Sequence, residues 1–169
     1  RKALRNPDWI VLSNDRYRVD PAVVAEFDVA EFERAITAAR RAVKRREDGA
    51  AAALDRALTL FRGDFLDGEP AGDWHLEHRD RLQRLFVDAL MELGDRHADE
   101  GRNAKAADAY RRLLARDDLN EEATRALMRC YAKAGERAQA LRLYQRFSEK
   151  LRKELDAEPE GETQELIQE

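Results

Sequence analysis

Three groupings of side chains in this 169-residue sequence have the types and spacing that chemistry needs. Arg125, Arg129 and Lys133 follow at i, i+4 and i+8, which on a helix places them on one face. Such a row could hold an acidic peptide, a phosphate or a nucleotide. Equally, Glu121, Glu122 and Glu136 could neutralise it as a solvated face. The run RRAVKRRE, Arg40 to Glu47, offers Arg40, Arg41, Lys44 and Arg45 as contacts to a nucleic-acid backbone, made without reading sequence. It is also what the end of an ordinary helix carries, since cations suit a helix C-terminus. In DWHLEH, His75 and His78 stand three apart beside Asp73 and Glu77. Two histidines at that spacing can share a metal, but a third ligand at defined spacing is missing, so surface or packing roles are expected.

Other chemistry finds no footing. No nucleophile–base set, no phosphate-cradling glycine loop and no paired carboxylates flanking a plausible pocket stand out, so neither an enzyme nor a cofactor is expected. A run of about 18 apolar residues is absent, and no signal-peptide pattern opens the chain. The single Cys130 excludes an internal disulfide, in keeping with a reducing cytoplasm. The net charge of −4 is unevenly spread. Residues 1–46 hold eleven Lys/Arg against seven Asp/Glu, or +4, and the remaining 123 hold twenty against twenty-eight, or −8. A polyanion is attracted to the first part and repelled by the second.

The elements that must position these residues are mostly helical. Residues 1–21 are the exception: DWIVL is apolar and β-branched, YRVD alternates, and SNDR between them supplies turn residues. A β-hairpin ended by Pro21 is expected there, and a lone hairpin is marginal in water unless something supports it. From Asp28 the period becomes helical, with Asp28 and Glu31 resembling a capping box and Phe32, Ala35, Ile36, Ala39 and Val43 forming an apolar stripe. A second helix carries Leu54, Ala57, Leu58 and Phe61. The stretch GDFLDGEPAGDW, Gly63 to Trp74, then interrupts the helices; Asp73 is placed to cap the next one and Trp74 to anchor the loop against the core. A long helix follows, with Leu82, Phe86, Leu90, Leu93 and His97 on one face. Asn103 and Asn120 are suited to cap two further helices. A last long helix and the short ETQELIQE segment complete the chain.

A repeat runs through the second half. Gly101 to Gly135, Ala106 to Ala140 and Tyr110 to Tyr144 are each 34 positions apart, the tetratricopeptide period. Glycine permits the turn, the small alanine lets paired helices approach, and the tyrosine fills the gap to the next pair. Leu93-Gly94 fits the same motif, while Asp118 replaces its closing proline. Met91, Asp95 and Asp99 occupy the face equivalent to Arg125, Arg129 and Lys133, so the groove is mixed in sign. That suits a protein better than DNA.

Four segments in order carry a resemblance: FRGDFLDGEPAGDW (61–74), EHRDRLQRLFVDAL (77–90), ALMRCYAKAGERAQALRLYQRF (126–147) and LRKELDAEPEGET (151–163). Together they resemble the bacterial transcriptional activator domain, the tetratricopeptide-like module that follows the winged-helix domain in activators of the Streptomyces antibiotic regulatory protein type. Ala157 stands where that family's ending usually has glycine. WIVLSNDRYRVDP is similar to the terminal hairpin of the winged helix, with Asn14, Asp15 and Arg16 in place of a glycine-rich wing tip.

The resemblance implies an all-α, right-handed tetratricopeptide-like array of about seven helices over 28–169, and a short N-terminal hairpin over 1–21 left from an upstream winged-helix domain. It implies a regulatory protein-contacting or oligomerising module. Its partner would be RNA polymerase, another copy or another regulator, with DNA bound mainly upstream of Arg1 and no membrane involved. Arg16 and Arg18 of the hairpin then join Arg40, Arg41, Lys44 and Arg45 as possible DNA-backbone contacts. An effector- or peptide-sensing module gating an attached signalling domain, and a tetratricopeptide scaffold with no transcriptional role, remain the alternatives.

Overall fold

A computed structural model describes residues 10–13, 15–19, 28–65 and 73–167. The chain divides into two compact units, residues 1–62 and 63–169.

In the first unit, Ile10–Ser13 (β1) and Arg16–Val19 (β2) pair antiparallel, Ile10 opposite Val19 and Ser13 opposite Arg16. The connection is two residues long, and Asp15 within it takes a left-handed φ of 55°, as tight hairpin turns require. Asp28–Lys44 (α1) buries Phe32, Ile36 and Ala39 at three- and four-residue spacing, which is why that segment winds as a helix. Its first residue, Asp28, accepts a hydrogen bond from the Val29 N–H through Oδ1 at 2.8 Å. The helix ends where Arg46 turns left-handed at φ 54°, with Arg46 N–H bonded to Val43 O and Glu47 N–H to Ala42 O, both at 3.0 Å. These two bonds close the helix C-terminus even without the usual glycine. Ala50–Leu58 (α2) packs back on α1, burying Leu54, Ala57 and Leu58, and the Phe32 and Phe61 rings meet at 5.6 Å.

The second unit runs from a 3-10 turn at Asp73–His75 through Leu76–Asp99 (α3), Asn103–Leu114 (α4), Glu121–Lys133 (α5), Arg137–Leu155 (α6) and Gly161–Glu165 (α7). The described residues thus hold seven α-helices. Consecutive helices from α3 to α6 pack on one another. The 34-residue spacing reappears in the backbone: α3 and α5 end at Asp99 and Lys133, and α4 and α6 begin at Asn103 and Arg137. Gly101 and Gly135 take φ of 72° and 75°, and each turn closes with the same pair of bonds. Gly101 N–H reaches Ala98 O and Arg102 N–H reaches His97 O; Gly135 N–H reaches Ala132 O and Glu136 N–H reaches Tyr131 O. Glycine stands at both because a Cβ would be strained in that conformation.

Between the pairs, Tyr110 is 2% exposed, lies directly against Gly94, and donates its hydroxyl to Asp95 Oδ1 at 2.7 Å. One repeat later Met128 stands where Gly94 stood, and Tyr144 is only half-buried. The continuous core joins Ala106, Tyr110, Leu127, Met128, Ala140 and Leu143.

Two capping expectations need correction. Asn103 is the first residue of α4 rather than its cap; Arg102 holds the cap position, and Asn103 Oδ1 accepts no bond. Asp73 opens the 3-10 turn, so His75, and not Asp73, precedes α3, and no side chain caps that helix. An intervening turn displaces the helix cap from Asp73 to His75. Asn120 does cap α5, its Oδ1 accepting from the Ala123 N–H at 3.0 Å. Asp118, in the place of the motif proline, pairs with Lys150 and so ties the α4–α5 connection to α6. Pro21, residues 66–72 of the interrupting stretch and the Trp74 side chain, on which the anchoring expectation rests, lie outside the described residues.

Candidate partner-binding surface

The row on α5 divides into one engaged cation and two available ones. Arg125 is held: one guanidinium nitrogen donates to Glu160 Oε2 at 2.7 Å and to Thr163 Oγ1 at 3.1 Å. Glu162 and Glu121 lie 3.8 and 4.0 Å away. The bond to Glu160 raises the guanidinium's proton affinity further, with Glu160, Glu162 and Glu121 adding attraction against a partial desolvation cost. With its side chain only 13% exposed, Arg125 fastens the α7 segment onto α5. Arg129 and Lys133, one and two turns on, are exposed and meet no acidic partner among the described residues. On the equivalent face of α3, Met91 is half-buried, Asp95 accepts the Tyr110 hydroxyl and Asp99 is exposed.

At the end of α1, Arg40 is half-buried while Arg41, Lys44 and Arg45 are exposed; Arg45 reaches Glu47 at 3.5 Å. Arg41 and Lys44 sit in the last turn, where the helix dipole favours cations. Their exposure therefore coexists with a local structural role. Arg16 and Arg18 are placed only by backbone, opposite Ser13 and Val11 in the ribbon; their side chains lie outside the described residues.

Of the three histidines, His75 and His97 are buried and His78 is exposed. His75 is 5% exposed, His78 is exposed with its ring 6.3 Å from that of Phe65, and no cluster of three metal-ligating side chains occurs among the described residues. His97 is buried and accepts a bond from Arg102 Nε through Nδ1 at 3.0 Å, which requires that nitrogen to be unprotonated. Cys130 is buried, and desolvation pushes its thiol pKa up, away from reactivity.

One surface escaped the sequence. An apolar cleft of about 650 Å³ is bounded by Met128 and Ala132 of α5, Ala138 and Leu141 of α6, and Leu166 and Ile167 after α7. Its only sequence signal is Leu141, an apolar residue 43% exposed on a helix whose other large apolar side chains mostly turn inward.

What the described residues offer is therefore contact surface: cations in helical rows and an apolar cleft, on helices of which none is long and apolar enough to cross a membrane. The chain belongs to the bacterial transcriptional activator domain family, whose family model matches residues 27–169. This is a family of transcription regulators and not of enzymes. No match was found among curated proteins.

Proposed function

We propose that this chain is the regulatory protein-contacting module of a bacterial transcriptional activator of the winged-helix, antibiotic-regulatory type. Its helices form a right-handed tetratricopeptide-like array that works in the cytoplasm, as a monomer or a homodimer. It docks on RNA polymerase, another copy of itself or another promoter-bound regulator. DNA is bound chiefly by an upstream winged helix, of which the β1–β2 ribbon is the last part. The observation that carries this is the family match over residues 27–169. The 34-residue repeat of helix ends and left-handed glycines supports the array. Exposed Arg129 and Lys133 support a protein contact over an enzymatic one. Arg40, Arg41, Lys44 and Arg45, with Arg16 and Arg18, are proposed to touch DNA phosphates beside the winged helix.

The test is to tether the chain to an unrelated DNA-binding domain upstream of a weak promoter and read a reporter. Activation several-fold above the tether alone is expected, falling when Arg129→Glu and Lys133→Glu are combined. A reporter at baseline, together with no binding to purified RNA polymerase, would sink the activator-contact role. It would leave the effector- or peptide-sensing alternative, for which Arg129 and Lys133 are available whereas Arg125 would first have to be released from Glu160.

A further inference from the structure

Along α6, Gln139, Arg142, Arg146 and Glu149 recur at three- and four-residue spacing and so share one face. Together with Gln145 and with Tyr131 of α5, they line a recess of about 360 Å³. Small-molecule sites begin at about this size, roughly 300 Å³. Tyr131 is half-buried, and its ring packs on the core that joins α5 and α6, which fixes its position.

The two cations of the recess differ from their neighbours. Arg96, Arg116, Arg125 and Arg152 of the same unit each meet a carboxylate. Arg142 and Arg146 are exposed and meet none among the described residues. Side chains at i and i+4 stand about 5–6 Å apart at Cβ, so the two guanidinium groups repel each other and both reach one anion placed between them. Among the described residues, no hydrogen bond engages the Tyr131 hydroxyl or the side-chain amides of Gln139 and Gln145. Glu149 is the acid of the lining, last along α6; its charge acts on Arg152, which Glu158 already holds. Glu136, one turn before Gln139, is exposed and outside the lining.

That set of groups selects an occupant. Two guanidinium forks and a hydroxyl offer more donors than the two oxygens of a carboxylate take up, and they suit the three terminal oxygens of a phosphate monoester. A polyanion does not suit, because residues 47–169 carry −8 and repel a nucleic-acid backbone. Glu149 accepts hydroxyl protons, and Gln145 both donates and accepts, as the hydroxyls of a sugar require.

We infer that this recess binds a small phosphorylated sugar, its phosphate held by Arg142, Arg146 and the Tyr131 hydroxyl and its sugar hydroxyls by Gln145 and Glu149. The site goes beyond the docking role proposed above and does not depend on it.

The experiment adds glucose 6-phosphate to the 169-residue chain and follows backbone amide and arginine Nε–H shifts by NMR. Glucuronate, glucose and inorganic phosphate are the comparison ligands. Saturable shifts centred on residues 131 and 139–149 are expected with glucose 6-phosphate, at lower concentration than with the other three. Arg142→Gln with Arg146→Gln should weaken binding about tenfold or more, as loss of charged hydrogen bonds does. Both residues are exposed, so the change leaves the fold intact. Tyr131→Phe keeps the packed ring and should weaken binding about threefold, the effect of one hydroxyl bond. Arg129→Gln with Lys133→Gln removes the same charge outside the recess and should leave binding unchanged. No saturable shift with glucose 6-phosphate, equal affinity for glucuronate or inorganic phosphate, or equal loss in the two charge-removing pairs would overturn the inference. The tethered reporter can fail while this titration succeeds, and the reverse, so the two claims fall separately.

Discussion

Gly94 and Tyr110 show how one missing methyl group organises the second unit. A Cβ on Gly94 would lie 2.3 Å from Tyr110 Cε1 and 2.7 Å from Cζ. The ring cannot give way: it is 2% exposed and its hydroxyl is anchored on Asp95 at 2.7 Å. Gly→Ala within a helix ordinarily gains about 1 kcal/mol, but overpacking of this kind costs about 1–3 kcal/mol. Gly94→Ala should therefore destabilise on balance, by up to about 2 kcal/mol in urea denaturation. Placed on a Tyr110→Leu background, the same change should become neutral or favourable. An unchanged penalty in the double variant would show that the ring is not its cause. The same tyrosine sets a pH limit. Burial, and next the bond to Asp95, push its pKa well above that of an exposed tyrosine. Below pH about 10 both the folded and the unfolded chain keep this proton, and the contribution of Tyr110 is whole. Above that the unfolded chain ionises first, and stability falls as pH rises, by at most about 1.4 kcal/mol per pH unit. Tyr110→Phe should flatten part of that alkaline loss in melts between pH 9 and 11; identical slopes for the two proteins would refute the assignment.

At the scale of elements, Arg125 decides whether α7 is part of the fold. Five residues with no internal reason to be helical are held because one guanidinium bonds both Glu160 and Thr163. Glu121 adds a second tie, accepting the Glu160 N–H at 2.7 Å. Arg125→Met should raise amide exchange in Gly161–Glu165 while α3 to α5 stay protected. The global cost should be about 1 kcal/mol, since charged hydrogen bonds are strong but Glu160 is two-thirds exposed. Undisturbed exchange in α7 would mean that apolar contacts of Leu166 and Ile167 hold it instead. The elements were largely legible beforehand: the apolar spacing of α1 to α6, the 34-residue repeat and the Asn120 cap all appear in the structure. The Arg125 latch was not legible, because a row at i, i+4 and i+8 says which residues share a face and nothing about a segment 35 residues later that occupies it. The cleft was hidden for a related reason. Alanines at 132 and 138 read as helix formers, and only packing shows that they leave space.

For the whole molecule, the uneven charge makes any attraction to a polyanion a matter of location. Residues 1–46 carry +4 and the rest −8, so contact with duplex should be confined to the first part and be weak overall. Arg41, Lys44 and Arg45 are among the exposed cations the structure describes there at one helix end. Each phosphate contact releases counterions, so log K against log salt should have a slope of about −0.9 per contact. The prediction is salt-sensitive anisotropy of a labelled random duplex with the intact chain. Arg41→Glu, Lys44→Glu and Arg45→Glu together should reduce the slope by about 2–3. Arg129→Glu with Lys133→Glu changes net charge in the same direction, two units at each of the two positions, and serves as the control, because those cations belong to the acidic part of the chain. If both sets weaken the duplex alike, general charge rather than the α1 end governs the encounter. If neither does, and the wild-type chain shows no binding at low salt, the cations at the end of α1 serve the helix dipole alone.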